Sequence, residues 1–260
     1  MDFINVDNIE FVFLTFIRTF TIIVFLPVFG YQGVDMRVKV LLSILLTILI
    51  FPYVTYPEAI LGSNISAYFG YAVSEIVVGI IIGFMPVFLF AAFQFAGELM
   101  GLQMGLSMMA MMDPTSEMNL SVMSRLKYIF VMLIFLISGG HLFFIKAIVE
   151  SFTVIEIGHI NLTSFGAIMN IVTDNLMNLF IIGIKAGAPV VISLFVIESA
   201  LGIMARTVPQ MNIFLVGFPL KILIGFVMFI TGLGLIVQIF LNHFGLLESD
   251  IFKIIDILGS

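Results

Sequence analysis

The chain has 260 residues, of which 62% are hydrophobic and only 10% charged, with 16 acidic and 10 basic side chains giving a formal charge of −6. A soluble domain carries roughly 25% charged residues, so this composition excludes a water-exposed globular surface and points to an integral membrane protein; the mean hydropathy of +1.26 agrees. The acidic balance removes the basic excess that nucleic-acid binding requires, and the absence of cysteine excludes disulfides, thiolate zinc sites and cysteine nucleophiles.

The first basic residue, Arg18, follows Asp2, Asp7 and Glu10. The positively charged start of a cleavable signal peptide is missing, so the N-terminus is expected to be retained. A helix needs about 20 mostly apolar residues to cross the hydrocarbon layer. Six stretches meet this, at roughly 11–29, 38–56, 70–97, 126–146, 176–205 and 221–244. The expected fold is therefore an all-α integral membrane protein of about six long hydrophobic helical segments, several of them kinked or broken.

Basic residues in short connections favour the cytoplasmic side. Arg37 and Lys39 join the first two segments, Arg125 and Lys127 precede the fourth, and Arg206 and Lys221 bracket the link between the last two, while the intervening connections carry only Lys146. The alternation predicts six crossings with both termini outside the cytoplasm. Arg18 in the first segment, Pro86 in the third, and Lys185 with Pro189 in the fifth are costly in lipid, so these segments are expected to face protein.

Gly97, Gly101 and Gly105 recur every four residues, a spacing that places them on one helix stripe where another backbone can approach closely. Gly79 with Gly83, and Gly183 with Gly187, repeat the device. The packing this permits is either within the chain or between subunits. Eight of the 17 methionines lie between 100 and 123: Met100, Met104, Met108, Met109, Met111, Met112, Met118 and Met123. They surround Asp113-Pro114, which reads as a helix start, so one helix is expected to end near 108 and another to begin at 113. Irregular backbone at membrane depth must be buried in protein or line a cavity. Residues 106–122, with Leu106 and the clustered methionines, are thus either an apolar plug in a pore or a methionine-rich connection or core.

Arg18, Glu75, Glu98, Lys185 and Glu198 are ionisable groups in apolar surroundings, and serve either as an ion or proton path or as structural pairs. The three histidines, His141, His159 and His243, are far apart and in no HExxH spacing, so no metal site is expected. There is no GxxxxGK, GxGxxG or GxSxG motif, and neither a catalytic pair nor a cofactor is expected.

Several motifs together resemble one family. Leu26-Pro27-Val28-Phe29-Gly30 is followed by Arg37-Val38-Lys39-Val40, then by Gly97-Glu98, Gly101, Gly105, Met112-Asp113-Pro114 and Ser138-Gly139-Gly140-His141. The C-terminal third carries Ala188-Pro189, the run from Ala200 to Asn212 with Arg206, Pro209, Gln210 and Asn212, and Gly217-Phe218-Pro219-Leu220-Lys221. In order and spacing, over nearly the whole chain, these resemble the FliR family of flagellar type III export-gate subunits and its virulence-secretion counterparts; the last two motifs look like the flagellar form.

The resemblance implies a non-enzymatic subunit of the inner-membrane export gate in the flagellar basal body. Its partners would be FliP and FliQ, with FlhB and FlhA nearby, and its cargo unfolded flagellar proteins. It also implies a FliP-like part at 1–175 fused to a FliQ-like hairpin at 176–260, a plug loop near 106–122, and an assembly seated largely above the plane of the membrane. The alternatives are the equivalent subunit of a virulence secretion system, a self-contained solute or ion transporter using the five ionisable residues, and, third, a membrane-embedded enzyme.

Overall fold

The computed structural model describes residues 6–30, 33–54, 64–106, 122–160, 165–207 and 213–260. Without water to bond to, an apolar chain must satisfy its backbone internally, and among the described residues it does so with helices and no strand. These are α1 (Val6–Phe25), α2 (Met36–Ile50, continued by a 3₁₀ turn at Phe51–Tyr53), α3 (Ile65–Met104), α4 (Val122–Ile137), α5 (Gly140–Val154), α6 (Phe165–Thr207) and α7 (Ile213–Gly259).

Each of the six expected segments is helical, but the crossings are fewer than expected. Among the described residues, four helices are long and apolar enough to cross a membrane, namely α2 with its 3₁₀ turn, α3, α6 and α7, and counting the broken pair α4 and α5 as one span gives five. The segment at α1 is not among them; its 20 residues include Asp7, Glu10 and Arg18. The fourth segment is divided because Gly139 adopts a left-handed φ of 78°, which stops α4 while its carbonyl accepts the amides of Leu142 and Phe143 to start α5. Conversely, α3, α6 and α7 contain 40, 43 and 47 residues. Each is about twice what the hydrocarbon layer requires.

Local chemistry explains the boundaries. Asp35 caps α2, its carboxylate accepting the Arg37 amide at 2.9 Å. Proline at 52 tightens the end of that helix into the 3₁₀ turn. Helix α3 ends at Met104, earlier than the expected exit near 108, because Gly105 turns left-handed with φ 80°. Gly105 is therefore the stop residue of α3 and not a third member of the Gly97–Gly101 stripe.

The chain forms two compact units, and α3, α6 and α7 contribute to both. In the first unit (residues 1–88, 139–175 and 245–260), the core holds Leu14, Ile22 and Ile23 of α1, Val78 and Ile82 of α3, Phe144 and Phe152 of α5, and Ile251 and Ile254 of α7. Gly79 and Gly83 let α3 lie directly on α1; a Cβ at either would run into Thr21, or into Phe25 and the Ile22 backbone. Helix α2 buries Ser43 and Thr47, whose hydroxyls donate to carbonyls one turn back, Lys39 and Ser43, at 2.7 Å each.

In the second unit (residues 89–138 and 176–244), edge-to-face rings form the centre. Phe90 meets Tyr128, Phe135 and Phe240 at centroid distances of 5.7, 5.6 and 6.1 Å. Gly97 brings α3 against α4 so closely that an added Cβ would overlap the Ser124 backbone, and Gly183 similarly presses α6 on Phe95 and the Ala92 carbonyl. Substituting Gly97→Ala is expected to destabilise the detergent-solubilised protein by about 1–3 kcal/mol through overpacking. Gly70→Ala, on an exposed part of α3 with nothing within 4 Å, is expected to be neutral or slightly stabilising. Thermal unfolding of the two variants checks this; equal midpoints would show that the α3–α4 contact yields.

Candidate functional site

The most ordered polar constellation lies inside the first unit. Arg18 of α1 and Glu75 of α3 are 0% and 1% exposed, and Arg18 Nε donates to Glu75 Oε2 at 2.5 Å while Nη2 donates to Oε1 at 3.0 Å. The fork is thus bidentate, the strongest geometry available to a guanidinium and a carboxylate. Arg18 Nη1 also donates to the carbonyls of Ser151 at 2.7 Å and Ile155 at 3.2 Å, at the C-terminal end of α5; the Ser151 carbonyl accepts the Ile155 amide as well. The Gly158 amide donates to Glu75 Oε1 at 2.8 Å, and the Phe152 ring lies 4.4 Å beneath the guanidinium. Positive φ at Gly158, 79°, lets the chain turn tightly against Tyr71 to reach that carboxylate.

The cluster therefore fastens α1, α3, the end of α5 and the following turn together, with no water-facing side. It contains a matched charge pair with its hydrogen bonds distributed over backbone groups, an arrangement suited to holding helices in register.

The other ionisable residues fall in different places. Glu98 is half-buried on α3. Glu198 of α6 accepts a hydrogen bond from Lys221 of α7 at 2.8 Å, with the carboxylate 55% exposed. Lys185 is exposed on α6. Of these five, Arg18 joins Glu75, while Glu198 joins Lys221.

Lys127 was read from the sequence as a loop charge marking sidedness, and the structure corrects this. It lies within α4, fully buried, with Nζ donating to the Ala186 carbonyl of α6 at 3.0 Å and 5.8 Å from the Phe93 ring centroid. Its i,i+4 and i,i+8 neighbours Val131 and Phe135 are buried too. That periodicity was the signal in the sequence that could have placed Lys127 on the inner face.

Of the expected plug, Leu106 is half-buried just beyond the stop at Gly105, and Met108, Met109, Met111, Met112, Asp113, Pro114 and Met118 lie outside the described residues. Near its approach, Met104 is buried and fills the space left by Gly225 of α7. In the expected family motif, Arg206 is exposed in the last turn of α6, where a cation complements the helix dipole, and Pro209, Gln210 and Asn212 lie outside the described residues. Gly97 and Gly101 are both buried on α3.

Replacing one member of the buried pair strands the other charge. Arg18→Met and Glu75→Met are each expected to cost about 3–5 kcal/mol, and the double variant less than the sum. Some loss should persist in the double variant, since the Ser151 and Ile155 carbonyls and the Gly158 amide lose a partner. Detergent-phase unfolding of the three variants provides the cycle; strictly additive losses would show that the two side chains are not energetically coupled.

Against this geometry, the comparisons with known proteins are consistent along the chain. Residues 9–247 match the family described as bacterial export proteins, family 1. The flagellar biosynthetic protein FliR of Pectobacterium carotovorum subsp. carotovorum is 33% identical over 250 residues, covering 95% of this chain and 92% of that protein. FliR of Escherichia coli (strain K12) is 33% identical over 239 residues (92% and 88%), and FliR of Bacillus subtilis (strain 168) is 30% identical over 248 residues (95% and 95%). On a match of this extent, the chain belongs to the bacterial export proteins, family 1, and with its relatives to the FliR flagellar biosynthetic proteins.

Proposed function

We propose that this chain is a structural and gating subunit of the flagellar type III protein-export channel in the bacterial inner membrane. In this reading it assembles with FliP- and FliQ-type subunits, adjoins FlhB- and FlhA-type partners, and does no covalent chemistry, while unfolded flagellar proteins pass through the channel it helps to close. The observation that carries this is the relationship to FliR proteins over 95% of the chain. Supporting it are the broad apolar faces left uncovered on the long helices, including Ile184, Ile192, Phe195, Leu223 and Ile230. Surfaces of this size fit a subunit built to pack among others as well as against lipid.

Within that assembly the division into a FliP-like part at 1–175 and a FliQ-like hairpin at 176–260 is retained as a proposal. It is supported by the two consecutive long helices α6 and α7, although α6 already begins at Phe165. The plug near 106–122 is likewise retained as a proposal, supported by the stop of α3 at Gly105 just before it. Its methionines are apolar and adaptable, properties that suit a seal which must part and re-form.

Expressed with FliP- and FliQ-type partners from the same genome and extracted in mild detergent, the chain is expected to be recovered in a hetero-oligomer containing a single copy of it, measured by native mass spectrometry. A monomer or homo-oligomer that ignores both partners would favour a self-contained transporter. Deleting residues 106–122 is expected to leave that complex intact while making the membrane leak ions, measured as dye or proton flux in vesicles. A tight membrane around an intact complex would remove the plug from the mechanism.

A further inference from the structure

Lys185 is out of place on the surface that carries it. In the second unit, α6 buries one face, with Ile182, Gly183, Ala186, Gly187, Val190 and Leu194 turned inward. The opposite face is exposed and apolar, with Ile181, Ile184, Ile192 and Phe195 around Lys185. Among the described residues Lys185 makes no hydrogen bond or ion pair.

The next charges along α6 are Asp174 and Glu198, and the latter is already engaged by Lys221. The uncharged stretches on either side of Lys185, residues 175–184 and 186–197, are each far short of the ~20 residues a span requires. A hydrocarbon-spanning length of α6 therefore has to include one of these charges, and the apolar run between Asn178 and Glu198 contains Lys185. At 1.5 Å per residue Lys185 lies about 10 Å from Asn178 and about 20 Å from Glu198 along the helix, beyond the reach of a four-carbon stem. An unpaired charge at that depth facing lipid costs at least ~2.5–3.5 kcal/mol on insertion scales. Pro189 adds to the polarity, since it cannot donate to the Lys185 carbonyl one turn back.

From this geometry we infer that the outer face of α6 around Lys185 is a protein docking surface, and that its occupant is an apolar membrane helix of another subunit presenting an Asp or Glu at the level of Lys185. The apolar residues match a hydrophobic helix, and the single uncompensated cation selects the one that carries a carboxylate. Charge complementarity of this kind fixes register and rejects wrong partners more than it adds affinity. The inference rests on the assembly proposed above, with the interface assigned to a particular face and a particular residue.

The test uses the full chain co-expressed with its FliP- and FliQ-type partners. Lys185→Glu and Lys185→Leu are expected to lower the recovery of hetero-oligomer at least about tenfold, because each strands the partner's carboxylate, whereas Lys185→Arg keeps it. Purified alone, all three variants are expected to unfold like the unaltered chain, since Lys185 is exposed. Benzoylphenylalanine incorporated in place of Ile181, an exposed neighbour that leaves Lys185 intact, should photo-crosslink to a partner peptide containing or adjoining an Asp or Glu, and changing that carboxylate to Lys should restore assembly of the Lys185→Glu variant. Recovery of Lys185→Glu at the level of the unaltered complex, or photoadducts with lipid alone, would overturn the inference. If the unaltered chain itself fails to form a hetero-oligomer, it is the assembly reading that falls.

Discussion

Everything in this structure follows from the need to satisfy polar groups where water is scarce. The backbone meets it by running as helix for 40 residues or more in α3, α6 and α7. Their hydroxyl side chains meet it by bonding to carbonyls of the same helix, as Thr173, Ser193 and Thr231 do. Charges cannot be satisfied so locally, and where they are buried they dictate which helices lie together. The Arg18–Glu75 fork is the clearest case, because neither side chain has an acceptable position without the other.

Around that fork, the first unit is organised by the acceptors at the end of α5. Arg18 adds a second donor to the Ser151 carbonyl and donates to the Ile155 carbonyl just past the helix, while still pairing fully with Glu75. Lys127 performs the simpler version in the second unit, donating to a single carbonyl of α6. In both places a cation is used as a multi-helix hydrogen-bond donor. Neither constellation has the open, substrate-accessible side that chemistry would need.

Close approach is the second organising device. With lipid as apolar as leucine, hydrophobicity alone does not drive helices together, and dispersion contact between small residues becomes more important. Gly79 and Gly83 of α3 against α1, Gly97 of α3 against α4, and Gly183 and Gly187 of α6 against α3 each permit it. The faces opposite these contacts remain apolar and exposed, so the same helices offer one surface for folding and another for assembly.

How much of this was legible beforehand varies by residue. Composition determined a membrane protein, because there are too few polar side chains to cover a soluble surface, the six long apolar stretches made it helical, and the run of motifs from Pro27 to Lys221 pointed to the family over nearly the whole chain. The apolar core of each helix was readable, but not its full length: the expected 70–97 became Ile65–Met104, because helix continues past the apolar stretch wherever propensity and packing allow. Gly139 and Gly105 were visible as glycines, yet their left-handed φ, which broke one expected segment and stopped another, is a property of the folded chain. The sequence also determined that Arg18, Glu75 and Lys185 would each be costly in lipid. Only the tertiary structure decided that the first two, 57 positions apart, meet, that Lys127 turns inward, and that Lys185 is left facing out. The reason is physical: the cost of a buried charge is set by its own chemistry, whereas its partner is set by the rotation and spacing of helices packed by residues far away in the chain.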